Sequence, residues 1–212
     1  MKKTIIYISI MISNCVSLWA QSSLLTATSN LPKLGDSIHY DFVTPTMPQS
    51  TSFSEYIWDF SNSKYIGTEK EVFFVGNDNN HIRMIDKDAI LDFSQDKERL
   101  LLKRLQTPLL NIDFGNSFEY LKFPFSLNDS LICQIEGKGT YCSKNKLALS
   151  GSCSTKAMAK GKLIMPSNDS LNYALLIQRS IVANINVSKD SLMSEMQEEP
   201  MIFKAAMFEW YA

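Results

Sequence analysis

The sequence predicts an all-β protein, an antiparallel β-sandwich or jelly-roll-like domain behind a cleaved signal peptide. Three observations predict it. The stretch 171–187 alternates, with Leu171, Tyr173, Leu175, Ile177, Arg179, Ile181, Ala183, Ile185 and Val187 on one side and mostly polar residues on the other. Period-two alternation buries one face of a strand and wets the other. Short aromatic and β-branched runs recur between Gly, Asn and Ser clusters. The chain also opens on two lysines and an apolar run from Ile5 to about Val16.

That opening has the form of a secretory leader. Ala20 offers the small residue for cleavage before Gln21, giving a leader at 1–20 and a β-rich domain at 21–212, one unit or two small subdomains. A lipoprotein signal ending at Cys15 is the rival, and Asn14 suits it poorly because a small residue is wanted there.

Next along the chain, "SIHYDF" (37–42) places Ile38, Tyr40 and Phe42 on one face. "YIWDF" (56–60), "EVFFV" (71–75) and "HIRMI" (81–85) are strands by composition. "AILDF" and "RLLLKRL" are expected as a hairpin turning at "SQDKE", although the helix formers of 95–105 also suit a helix. "FGNS" is expected to punctuate the chain, as are "VGNDNN" and "PSND". Strands at 130–142 and 147–166 flank a turn at "SKNK". The 171–187 strand is long enough to need a bulge, expected near Arg179. An acidic loop (188–200) then precedes an aromatic last strand, "MIFKAAMFEWYA".

Bulk composition removes several function classes. Without Lys2 and Lys3 the chain carries 19 basic against 22 acidic residues, with no basic run, so nucleic acid is not expected as a partner. No segment after the leader reaches the length of a transmembrane helix. No CxxC or His/Cys cluster suggests a metal, and no cofactor motif is present. Beyond the leader lie Cys133, Cys142 and Cys153. A hairpin turning near Ser143 sets Cys133 opposite Cys153, a candidate disulfide, and leaves Cys142 in the turn.

Asp-Ser-aliphatic occurs four times, at Ser37, Ser130, Ser170 and Ser191. One reading is structural: Gly-Asp or Asn-Asp turns the chain and the aliphatic residue enters the next strand. Asp-Ser-aliphatic also resembles the O-glycosylation acceptor of exported Bacteroidetes proteins, which implies these four serines as acceptors. "GDSI" (35–38) resembles the nucleophile segment of GDSL-type hydrolases, which implies Ser37 as nucleophile and a histidine near the C-terminus. The chain has only His39 and His81, and no Asp-x-x-His follows.

"WAQ" at the end of the leader is similar to Bacteroidetes signal peptides. "YIWDFSN" (56–62), "FPFSLNDSL" (123–131) and "GKLIMPSNDSLNYALLIQRS" (161–180) together resemble a family of secreted β-rich proteins of that phylum. The resemblance implies compartment and fold, and no catalytic residue. The expectation is a non-enzymatic exported protein, periplasmic or on the outer cell surface, acting as a structural or binding component toward a surface glycan or protein. The alternative is a secreted hydrolase, of GDSL type or carbohydrate-active. Asp41 and Asp59 show no spacing that implies a two-acid site. Trp58, Trp210, Tyr56 and Tyr211 suit a β core better than a sugar-stacking platform.

Overall fold

A computed structural model describes residues 24–40, 42, 56–67, 70–188 and 200–211, and only the backbone of His39, Tyr40 and Lys70. The leader with Cys15, the fourth Asp-Ser site at Ser191 and most of the acidic segment 188–200 lie outside the described residues.

The protein is all-β. Among the described residues, one short helix, α1 (Ala27–Asn30), precedes eleven strands. They are β1 (Ser37–Tyr40), β2 (Tyr56–Asp59), β3 (Lys70–Asp78), β4 (His81–Ile85), β5 (Ile90–Gln95), β6 (Arg99–Gln106), β7 (Leu110–Lys122), β8 (Ser130–Tyr141), β9 (Asn145–Ile164), β10 (Ser170–Ser188) and β11 (Met201–Tyr211). All belong to one sheet that is not closed, with β1 beside β3 and then β3 to β11 in chain order. Every pair on this path is antiparallel, while β2 runs parallel to β9. From β3 to β10 consecutive strands are joined by short connections, which gives a meander, so of the two expected forms the structure takes the sandwich. The ambiguous stretch 90–106 is a hairpin: β5 and β6 turn at Asp96–Glu98, where the Asp96 carboxylate accepts the N–H groups of Glu98 and Arg99.

The sheet becomes two facing layers through a bulge that the sequence disguises. "FGNS" does not end a strand. Leu102 pairs with Phe118 and Arg104 with Asp113, so four residues of β7 (114–117) bulge against Lys103. Gly115 supplies the left-handed φ of 57° that this needs. Before the bulge β7 pairs with β8 at Leu110–Asp113. After it β7 stays with β6 and passes over the inner face of β8–β10, where the Tyr120 carbonyl accepts from Arg179 of β10. The strand continues because Phe118 and Leu121 are buried on the far side of the bulge.

Between the layers lies the main core, built on Phe93, Leu102, Ile112, Phe118, Ile135 and Ile177 among others. A second bulge sets where it ends. Ile177 pairs with Ala157 and Leu176 with Ala159, which leaves Met158 as the extra residue of β9. The bulge expected near Arg179 therefore sits on the partner strand, opposite Leu176–Ile177. It exchanges the faces: Ala157 belongs to the main core, whereas Ala159 and Leu163 join Trp58 and Ala174 in a smaller one. Beyond the start of β8 at Ser130, β2 takes the vacated place beside β9 and brings Trp58 opposite Leu163.

Candidate functional site

A concavity on the surface begins with the chain ahead of β1. Leu25 and Phe125, both buried, exchange two backbone hydrogen bonds of 2.8 and 3.0 Å. This bridge fixes the segment leading to α1, while Ala27 and Leu31 lean on the main core. The other wall is the end of the β3–β4 and β5–β6 hairpins. Gln95 ties the walls together, its Nε2 donating to the carbonyls of Pro32 (2.9 Å) and Asn79 (2.7 Å). Between them runs a groove of about 730 Å³, a size typical of small-molecule sites. Phe123 and Pro124, joined by a cis peptide, supply apolar surface, and Asn80, Lys33, Lys97 and Asp96 supply polar groups. Gln95 is buried, and among the described residues its Oε1 finds no hydrogen-bond partner. Nothing in the sequence marked this groove, because its walls meet through contacts between distant segments, such as the Leu25–Phe125 bridge and the bond from Gln95 to Pro32.

A polar centre lies inside the sandwich. Arg179 is 0% exposed and reaches both Glu209 carboxylate oxygens through Nη1, at 2.9 and 2.7 Å. Its guanidinium lies 3.6 Å from the centre of the Tyr120 ring. Tyr120 and Tyr211 each donate a phenol hydrogen to Glu209 at 3.1 Å. Burial raises the pKa of both phenols, so they remain donors. For Arg179 burial opposes the charge, and Tyr120 and Glu209 outweigh it, leaving the guanidinium firmly protonated. The cluster joins β7, β10 and β11 across the two layers.

Cys133 and Cys153 face each other in register on β8 and β9, as the hairpin position predicts. The turn between them is at Cys142–Lys144, where Cys142 and Ser143 have φ of 52° and 60° and Lys144 N–H donates to the Tyr141 carbonyl. All three are free thiols.

The three described Asp-Ser sites share one geometry. The residue before each aspartate is left-handed: Gly35 (φ 86°), Asn128 (φ 72°) and Asn168 (φ 67°). Each aspartate then accepts from a residue just behind it. Asp36 accepts from Lys33 N–H, Asp129 from the N–H and hydroxyl of Ser126, and Asp169 from the Ser167 hydroxyl. Ser37, Ser130 and Ser170 are each the exposed first residue of a strand.

The remaining candidates separate. Ser37 shares a row with Phe73 and Ile85, and His81 stands four residues away along β4, roughly 13 Å at strand spacing. The His81 ring lies instead on the carboxylate of Asp78, at 3.1 Å. Asp59 accepts from Ser61, and Asp41 is outside the described residues. Trp58 and Trp210 meet edge to face at 6.0 Å in the smaller core, while Tyr211 points into the polar centre on the opposite face. The four aromatic residues therefore make no common platform. No group of His, Cys, Asp and Glu that could hold a metal occurs among the described residues, and no helix among them is long and apolar enough to cross a membrane.

No protein-family model, curated protein or solved structure matches this chain.

Proposed function

We propose that this chain is an exported Bacteroidetes envelope or cell-surface protein that works without catalysis, as a binding component whose groove takes a carbohydrate. The leader-like opening and the resemblance to secreted β-rich proteins support the compartment. The groove between α1 and the two hairpin ends carries the binding reading. Its apolar floor at Phe123–Pro124 suits the hydrophobic face of a pyranose, and the amides and charges of Asn80, Lys97 and Asp96 suit its hydroxyls. Ser37, Ser130 and Ser170 are exposed, which suits them as glycan acceptors, with Ser191 the fourth in sequence. The spacing between Ser37 and His81 speaks against the GDSL-type alternative.

Glycan arrays test this directly, with Thr28→Trp, on the groove's exposed rim, as the blocked form. Binding that Thr28→Trp abolishes at unchanged Tm is the expected result. Silence across the array removes the carbohydrate reading. Fluorophosphonate labelling that disappears in Ser37→Ala would replace it with the hydrolase.

A further inference from the structure

We propose that Cys133 and Cys153 form a cross-strand disulfide between β8 and β9, made by thiol–disulfide exchange with Cys133 as the entering sulfur. The register carries this. Ile132 pairs with Ser154, Cys133 with Cys153 and Gln134 with Ser152, with no bulge in this ladder. Directly opposed antiparallel residues keep their Cα atoms about 4.5 or 5.5 Å apart, depending on the kind of pair. Both spacings fall within the range a disulfide spans. Both side chains pack on the main core, where the Cys133 thiol donates to the Glu119 carbonyl at 3.5 Å.

Cys142 is no competitor. It lies nine residues on from Cys133, in the turn past the end of β8, roughly 30 Å away at strand spacing. The two sulfurs of the pair are also unequal. Cys153 is 1% exposed, whereas Cys133 is half-buried and reachable from outside. The adjacent Cys153 thiol lowers the Cys133 pKa to about 7, and the nearness of Cys133 together with burial pushes Cys153 up. Cys133 is therefore the thiolate that attacks first.

The exchange balances without a metal or cofactor. The Cys133 thiolate attacks one sulfur of an external disulfide, forming a mixed disulfide and releasing one thiolate. Cys153 gives its proton to solvent and attacks the Cys133 sulfur, releasing the second. Two protein thiols are oxidised by two electrons and one external disulfide is reduced to two thiols. An exported protein meets such oxidants, but the pairing does not depend on the proposed binding function.

Tryptic mapping reads the outcome. Cleavage after lysine and arginine puts Cys15, Cys133, Cys142 and Cys153 on separate peptides, 4–33, 123–138, 139–144 and 147–156. The full chain is incubated with oxidised glutathione at pH 8, alkylated and digested without reduction. Peptide 123–138 joined to 147–156 is the expected product. Joining through Cys15 or Cys142, or recovery of both peptides alkylated, overturns the proposal. In a Cys142→Ala background, dithiothreitol should lower Tm by roughly 5–10 °C, as for a closed loop of this length. The same treatment should leave Tm of an added Cys133→Ser unchanged. An equal drop in both proteins counts against the bond.

Discussion

Arg179 and Glu209 form an ion pair of 2.7 Å in which the arginine is wholly buried and the carboxylate is partly exposed. Burying a guanidinium costs heavily unless its charge and donors are met. Here Glu209 meets the charge, the Tyr120 carbonyl takes Nη2, and the Tyr120 ring covers the cation. Among the described residues Nε finds no hydrogen-bond partner, and neither does Thr155 Oγ1, on the residue paired with Arg179 in β9. The pair thus joins the edge strand β11 to β7 across the sandwich.

Removing the carboxylate should therefore cost more than removing both charges. Glu209→Ala leaves the arginine buried without a counter-charge and should lower stability by about 3–5 kcal/mol. The double change Arg179→Met with Glu209→Met should recover a large part of that. Urea unfolding of the two proteins checks it. A double variant no more stable than Glu209→Ala would show that the pair itself, and not the stranded charge, holds β11.

The Asp-Ser turns make a prediction about acid. Bonding from the Ser126 backbone and hydroxyl holds the exposed Asp129 carboxyl below its ordinary pKa. Its folded value lies below its unfolded one, so the stability it adds is present above about pH 4 and is lost as pH falls through the folded value. Asp129→Asn should therefore unfold at a lower Tm than the parent at pH 7, and the two curves should converge near pH 2. Thermal melts across that range decide it. A constant gap at all pH values would assign the loss to packing.

The left-handed residue before each aspartate is a separate constraint. Asn128→Gly should be tolerated at φ 72°, whereas Asn128→Val should cost about 1–2 kcal/mol, since a β-branched side chain crowds the backbone there. Equal stability of the two variants would mean the turn rearranges. Chemical denaturation of both proteins gives the comparison.

How legible all this was depends on how local each cause is. The turn at Cys142–Ser143 and the register of Cys133 with Cys153 follow from counting along one hairpin, so the sequence contains them. The β5–β6 hairpin was likewise readable through Asp96, a local turn former. Arg179 is different. Within an alternating strand its position already reads as inward, but its partners lie on β7 and β11, and only the bulge at 114–117 brings Tyr120 over it. That bulge is hidden because Gly115 and Asn116 look like a turn, and only the buried Phe118 and Leu121 show that the strand goes on. The groove was invisible for the same reason: Gln95 joins Pro32 and Asn79 over long separations.

The last prediction concerns how β2 is seated. A Cβ on Gly161 would collide with the carbonyl of Tyr56, its partner on β2, so the parallel pairing requires a bare backbone at that point. Gly161 itself gains nothing else from lacking a side chain, since its φ is unremarkable beside the left-handed glycines 35 and 115. Gly161→Ala should therefore push β2 away from β9 while leaving the β9–β10 ladder in place. Trp58, 4% exposed and packed against Leu163 and Trp210, would be wetted. Its fluorescence should shift to the red, with far-ultraviolet circular dichroism nearly unchanged. A Trp58→Phe background reports the signal of Trp19 and Trp210, and the difference is that of Trp58. An unshifted spectrum would mean that β9 yields and β2 stays docked, and a collapse of the β signal would mean that β2 is needed for the sheet to form.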